Sequence, residues 1–479
     1  MSQTSKQGYS PKPHAEASQV VGYLPDERPP IGRLLLYALQ QVIVMFPATV
    51  TVALITGFHV STTIFASGLA TVCFTLITGR KIPMYYGSSF AYLAAIASMV
   101  AAEGSTEQLA QLAATGILPT ELISKAQFGI IMSGFISIIA GLLVRWGGMD
   151  KVEKILPPTV TGPIAMIIGL TLAANAMKDA APQAGQPQVV WIVSLITLLS
   201  TVIYSRKLKG FLGQLPLLLG AATGCLTALV LYLIGGESFF RTIPAETLAA
   251  SSWKLGEGAI FALPAFSWPT ANWAAVAAIM PIAIATIPES TAHMYQLDIY
   301  VNDLARRKGK PSYGIANMLD RNLVGDGICD MISGAVGGPA GTNYGENIST
   351  MAITKVFSVR TMFVAGILAM VIGCFTPLIR VIYGIPLAVI GGLEIYLFGA
   401  IAAQGIAILI DKKVSMFDAK NIAVIASIVT IGLGINYGFG GNIVFFGVNV
   451  PAVAGAAIFG ILLNLILSIG DKKTSQATE

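Results

Sequence analysis

Charge is what this sequence has least of. Asp, Glu, Lys and Arg together make up 11% of its 479 residues, against about 25% in soluble domains. So few charges cannot coat a water-facing body, and a soluble globular protein is excluded. Histidine is nearly missing, with three residues, and cysteine is scarce, with four. Cys73, Cys225, Cys329 and Cys374 stand singly in or at the ends of apolar runs. No pair has the spacing of a metal site or thiol relay, so they read as small buried apolar residues. No metal and no cofactor is expected. The polar, Pro-containing stretch 1–30 has no apolar h-region and reads as a tail, not a cleaved signal peptide.

What is present is apolar: 54% hydrophobic residues, a mean hydropathy of +0.73 and 50 glycines. Small residues let helices approach closely in lipid. A spanning helix takes roughly 20 mainly apolar residues. Such runs cover Leu34–Gly57, Val60–Thr78, Phe128–Val144, Thr159–Met177, Val189–Tyr204, Leu215–Ile234 and Trp273–Ile287. They continue with Met362–Ile379, Leu387–Ile410, Ile422–Ile435 and Ala452–Ile469. Three irregular stretches, after Lys81, ending near Gly338 and after Thr342, raise the expectation to about fourteen elements.

The basic residues supply a separate argument. With the N-terminus inside and fourteen crossings, the outer loops hold Lys125, Lys178, Arg241, Lys254 and Arg380, leaving 24 of the 29 Lys and Arg inside. The inner ones cluster at Arg80-Lys81, Arg145–Lys154, Arg206–Lys209, Arg306–Lys310 and Lys412–Lys420. Where the basic residues sit, more than the net charge of +5, marks the cytoplasmic side, and no nucleic-acid partner is expected. Residues from about Glu103 to Lys125 and from about Glu237 to Ser267 read as outer connections. Both termini are expected in the cytoplasm.

A duplication is visible. Pro157 and Gly162 open one run and Pro386 and Gly391 another, at the same five-residue spacing. Two seven-element repeats, 31–236 and 271–470, follow, separated by an outer loop at 237–270 and ending in a tail at 471–479. An odd number of crossings per repeat inverts the halves.

The irregular segments carry the candidate site. Lys81–Phe90 and Gly338–Asn347 both join Pro, Gly and Ser or Thr to an aromatic and run into a helix. Non-helical backbone at membrane depth is tolerated where it is buried in protein or lines a cavity. Matching breaks in two halves point to a midplane site fed by helix N-termini; both could instead be ordinary turns. Glu289 follows Pro288, and His293 lies four residues on, on the same face if the helix continues. Glu346 sits in the second break. Carboxylates at membrane depth face a cavity or a partner; two of them suit a flat neutral ligand with N–H donors and repel an anion. Glu394, inside an apolar run, reads equally as a proton site or a helix-pairing residue. Asp320, Asp326 and Asp330 bound a short, weakly apolar ninth element and read mainly as structural or gating. His14 and His59 carry no assignment.

At these residues the sequence resembles the nucleobase–ascorbate transporter family, and within it the bacterial uracil permeases, over about Pro29 to Gly470. The most specific stretch is Tyr344–Lys355, in which Glu346, Asn347, Thr354 and Lys355 fit the family pattern and Ser349 stands where glycine is expected. Gly87–Phe90 and Pro288–His293 resemble the family's third and eighth elements. The resemblance implies an all-α polytopic membrane protein of fourteen segments in two inverted repeats, with core and gate domains and short antiparallel strands in the third and tenth segments. It implies substrate contacts from Glu289, Glu346, the Phe90 ring, the Tyr344 and Gly345 backbone, and Phe398, where the uracil permease has tyrosine. It implies proton coupling through Glu289 and His293, with Asn347, Ser349 and Gln41 supporting the site; Gln41 departs from a Gln-His pair usual in the family. The expected function is proton-coupled import of a nucleobase, uracil ahead of xanthine or another purine, across the cell membrane, with a homodimer left open. An anion exchanger or channel would place positive or hydroxyl groups at the site and often carry a regulatory domain. An intramembrane enzyme would need a catalytic constellation such as His-Glu-x-x-His, which is not found.

Overall fold

The computed structural model describes residues 22–148, 156–236, 238–242, 259–446 and 448–469. The expectations for His14, Lys151, Lys154, Lys254, half of the 237–270 segment and all of 471–479 lie outside these residues.

Helices α1 (Ile31–Thr56) and α2 (Val60–Ile77) are followed by strand β1 (Tyr86–Ser88) and α3 (Leu93–Glu103). Next come α4 (Thr106–Thr115), α5 (Thr120–Gly147), α6 (Pro158–Thr171), α7 (Ala173–Ala180), α8 (Val190–Lys207) and α9 (Pro216–Gly235). The second half holds α10 (Trp273–Ile279), α11 (Ala283–Arg307), α12 (Leu319–Val336), β2 (Gly341–Asn343) and α13 (Gly345–Thr354). It ends with α14 (Val359–Gly373), α15 (Thr376–Tyr383), α16 (Leu387–Asp411), α17 (Ala419–Gly438), β3 (Asn442–Phe445), β4 (Val448–Pro451) and α18 (Ala452–Leu467). Among the described residues nine helical spans are long and apolar enough to cross a membrane, counting Pro158–Ala180 and Trp273–Arg307 as single spans. The protein is a polytopic, mainly helical membrane protein.

Local chemistry explains several boundaries. Pro30, Pro157 and Pro386 each occupy the N-cap of a helix, where a missing N–H costs nothing. The shared Pro-to-Gly spacing thus marks two equivalent helix starts. Gly337, at φ 96°, ends α12 in the left-handed region and frees the chain to enter β2.

The Glu103–Lys125 connection is itself helical in part: Ser105 and Gln108 form a reciprocal capping box that starts α4, and α5 begins at Thr120. Four expectations are corrected. The Thr159–Met177 run is broken at Leu172 into α6 and α7, and the Met362–Ile379 run is broken after Gly373 into α14 and α15. The Trp273–Ile287 run does not stop there: a 3-10 turn at Met280–Ile282 leads into α11, which continues to Arg307. Asp326 and Asp330 lie inside an 18-residue helix, not at its bounds; apolar run length hid that helix because its buried face is polar.

Packing partners occur in matched sets. Helix α2 packs on α14 and α5 on α12; α8 packs on α9 and α17 on α18; α16 packs on α8 and α17 on α6. Glycine sits at the tightest crossings. A Cβ built at Gly68 would stand 2.4 Å from the Gly366 carbonyl oxygen, and one at Gly366 would stand 2.7 Å from that of Gly68. Gly134 and Gly327 meet at 2.4 and 2.3 Å, and Gly162 and Gly405 at 2.9 and 2.5 Å. Backbones this close admit no side chain, which is how small residues set helix spacing in a membrane.

Candidate functional site

The two breaks meet. Strands β1 and β2 pair antiparallel, with Tyr86 opposite Asn343, Gly87 opposite Thr342 and Ser88 opposite Gly341. Ser89 N–H donates to Ala340 O at 2.9 Å and Tyr344 N–H to Tyr85 O at 3.0 Å, extending the ladder. All six strand residues are buried, so each strand edge must be satisfied from within the protein. Thr71 does this for β1: its hydroxyl donates to Tyr86 O and accepts from Tyr86 N–H, both at 3.0 Å.

A polar cluster anchors the strands on α11 and α12. Asn343 Nδ2 donates to Asp326 Oδ1 and Asn322 Oδ1, both at 2.9 Å, and to Ser290 Oγ at 3.1 Å. Asn322 Nδ2 donates to Ser290 Oγ at 2.7 Å, and the Ser290 hydroxyl donates to Asp326. Asp330 Oδ1 accepts from the Tyr86 hydroxyl and, at 2.8 Å, from Gly341 N–H. Asp326 holds β2 through Asn343, while Asp330 ties both strands to α12. Sequence reasoning left these two acids outside the site. The available signal was their spacing with Asn322, at i and i+4 and again at i+4, which puts three polar groups on one helix face.

The predicted residues assemble around this base. Glu289 precedes Ser290 on α11 and is half-buried. Because α11 runs unbroken past it, Glu289 and His293 do share a face. Glu346 stands in the first turn of α13 and keeps an exposed side chain although Tyr344, Asn347 and Ile348 around it are buried. Glu346 is thus the exposed residue of an otherwise buried helix start. Glu289 and Glu346 lie within electrostatic reach of one another, and the Glu346 carboxylate meets its own backbone N–H. His293 packs against Gly345, where a Cβ would stand 2.8 Å from Nε2. The imidazole lies beside the Asn343 backbone, and its buried Nδ1 has no hydrogen-bond partner among the described residues.

Tyr344 turns its side chain onto β1. Its hydroxyl donates to Ser88 O at 2.8 Å and lies 3.0 Å from Thr49 Oγ1, and its ring covers Gly87. The backbone at Tyr344 and Gly345 is left at the uncapped start of α13. Gln41 and Asn347 come together: Asn347 Nδ2 donates to Gln41 O at 2.9 Å and to Gln41 Oε1 at 2.8 Å, fixing α13 on α1. Phe90, one residue past the Ser89 cap, packs against the cluster of Val52, Leu93, Leu172, Ala176, Leu397 and Phe398. Phe90 and Phe398 thus share one apolar wall, and a Cβ at Gly169 would stand 2.3 Å from Phe398 O. Ser349 is half-buried one turn beyond Gly345. Glu394 is not in this group; it faces Asp179. Among the described residues no cluster of His, Cys, Asp and Glu has the grouping to hold a metal. A hollow at the far end of α11, near Tyr300, is separate, and its Arg306 and Arg307 are paired with Asp303.

Paired broken elements with two acids beside them and a bilayer-length helical body fit a membrane transporter. The model of the permease family matches residues 32–441, and the chain belongs to that family. It is therefore a transporter and not an enzyme. It is similar to the uracil permease of Bacillus caldolyticus, with 33% identity over 92% of this chain and 93% of that one. It is equally similar, at 33% over 93% of this chain and 91% of that one, to a protein of Escherichia coli (strain K12) described as the putative pyrimidine permease RutG. Among solved structures it shares its fold with the transmembrane domain of the cyanobacterial bicarbonate transporter BicA. That match has a TM-score of 0.53 at 14% identity and covers 91% of this chain and 97% of that one. It also shares its fold with SLC26A9, with a TM-score of 0.60 at 11% identity, covering 92% of this chain and 65% of that one.

Proposed function

We propose that the protein is a proton-coupled symporter that imports a nucleobase, uracil first. The observation that carries this reading is the approach of Glu289 and Glu346 beside the exposed start of α13. A uracil ring offers two N–H donors and two carbonyl acceptors. Glu346 and Glu289 accept from the N–H groups; the backbone N–H at Gly345 donates to a carbonyl; Phe90 and Phe398 flank the ring. Two carboxylates disfavour an anionic cargo, which separates this reading from anion exchange on the same fold. The names of the relatives, uracil and pyrimidine permeases, support the pyrimidine over xanthine.

Protonation of Glu289, with His293 beside it, permits uracil to bind, and return of the proton on the inner side releases both. The matched packing sets support two inverted repeats of seven elements, fourteen in all, with both termini in the cytoplasm. In that reading α1–α5 and α10–α15, held by the paired strands, form a core that moves against a gate of α6–α9 and α16–α18. The test is equilibrium binding to purified protein of uracil, thymine, xanthine, guanine and ascorbate. Uracil should bind tightest, and tighter binding of a purine would overturn the ranking.

A further inference from the structure

A second pair of acids lies outside the candidate site. Asp179 ends α7 and Glu394 lies two turns into α16. Their carboxyl groups are within hydrogen-bonding distance of each other. Backbone packing enforces the contact: a Cβ at Gly391, one turn before Glu394, would stand 2.1 Å from Ala180 N and 2.4 Å from the carbonyl carbon of Asp179. Glu394 is 1% exposed, and its Oε2 has no ordinary N–H or O–H donor facing it among the described residues. Two carboxylates in contact cannot both be charged without large repulsion, whereas one shared proton satisfies both.

The cation beside them is Arg241. Its Nε donates to Ile385 O at 2.9 Å and its backbone N–H to Gly384 O at 3.2 Å, fixing it on the turn that leads into α16. Its Nη1 packs against Gly116 at the end of α4, and its buried Nη2 has no acceptor among the described residues. The charged and titratable groups around the pair are Arg241, Lys178 on the same helix end as Asp179, and Tyr383 beside Arg241.

We propose that Asp179 and Glu394 form a second proton-binding site, holding one proton between two carboxyl groups next to Arg241. With the proton bound, the pair carries one negative charge and Arg241 balances it. When the proton leaves to water, both carboxyls are charged, and the free Nη2 of Arg241 is the group that can take up the new carboxylate. Glu394 sits one turn from Phe398 on α16. Proton binding at the pair therefore acts on the helix that carries the apolar wall of the candidate site, while Arg241 ties it to α4 and the α15–α16 turn.

The proton site stands without the substrate reading; its effect on transport rests on it. The test is infrared difference spectroscopy of the purified protein in lipid discs during a pH titration. A deuterium-sensitive carboxylic C=O band is expected that disappears in Asp179→Asn and equally in Glu394→Gln, and persists in Glu289→Gln. No such band, or a band untouched by both substitutions, overturns the proposal. In uptake assays Glu394→Gln should shift the pH profile by about one unit or more while uracil affinity at fixed pH changes by less than about two-fold. A profile superimposable on the wild type also overturns it. If uracil binds none of the proteins, the substrate reading fails, and the infrared band still decides this one.

Discussion

The imidazole of His293 rests directly on the α-carbon of Gly345: a methyl group there would stand 2.8 Å from Nε2. Helix α11 and the broken element α13 therefore register against each other through a contact that only glycine permits. Gly345→Ala should push the ring from its place and weaken uracil binding by about ten-fold or more, since a displacement near 1 Å in a positioned site is costly. The double variant Gly345→Ala/His293→Ala should bind more tightly than Gly345→Ala alone, because the second truncation removes the collision. Isothermal titration of the three proteins checks this; a double variant no better than the single one would show that the collision is not the cause.

The two acids are expected to separate by role. Glu346→Ala should abolish measurable uracil binding to purified protein, because it removes the carboxylate nearest the α13 backbone donors. Glu289→Gln keeps the side-chain shape and removes the titrating group, so uracil accumulation against its gradient should disappear while facilitated exchange persists. Counterflow and active-uptake assays in the same vesicles distinguish the two. Full accumulation by Glu289→Gln would remove its proton role.

Much of this was legible in the chain. The breaks at Lys81–Phe90 and Gly338–Asn347 announced themselves through Pro and Gly inside apolar surroundings, and Glu289 and Glu346 through charge where charge is expensive. The position of Asp326 and Asp330, though not their structural character, was misread for a physical reason. Their helix, α12, buries Asn322, Asp326, Asp330 and Ser333, so it lacks the apolar run by which spans are found. The partner of a buried carboxyl is also unreadable locally: Asp179 and Glu394 are far apart in sequence, and only the close crossing of α7 and α16 joins them.

Asp330 offers a direct test of the strand anchor. Asp330→Ala leaves Gly341 N–H without its acceptor and the Tyr86 hydroxyl with only the longer bond to Asp326 O at 3.3 Å, and one unsatisfied buried group costs about 1–3 kcal/mol. Thermal unfolding in detergent should fall measurably, and uracil affinity should fall with it because β2 leads straight into α13. Asp320→Ala, at the start of the same helix, should leave both near wild type.

The glycine crossings predict stability without a role in ligand contact. Gly68→Val places a branched side chain where a Cβ alone would lie 2.4 Å from Gly366 O, so α2 and α14 must separate. Overpacking of this kind costs about 1–3 kcal/mol. Gly32→Val, with nothing within 4 Å of its Cβ, is the control and should unfold near the wild-type temperature.

Outside the membrane, the segment before α1 is strapped to the core. Tyr23 N–H donates to Lys355 O at 2.8 Å, and Phe357 N–H donates to Tyr23 O at 2.7 Å. Glu27 binds Lys308 at 2.6 Å and Lys310 at 2.9 Å. Burial by itself would raise the Glu27 carboxyl, but the hydrogen bonds from Lys308, the Leu24 backbone and Lys310 outweigh it and bring it down to about 2. The sign follows from linkage: a carboxyl depressed on docking from its ordinary 4.5 stabilises the docked strap above that value, and the contribution is lost as pH falls toward about 2. Hydrogen exchange at the Tyr23 and Phe357 amides should therefore rise between pH 4.5 and 2 beyond its intrinsic pH dependence. Glu27→Gln should already show the loosened strap at pH 7 and no further loosening on acidification. Equal protection in the two proteins at pH 7 would mean that the strap is held by its backbone bonds and not by the Glu27 carboxylate.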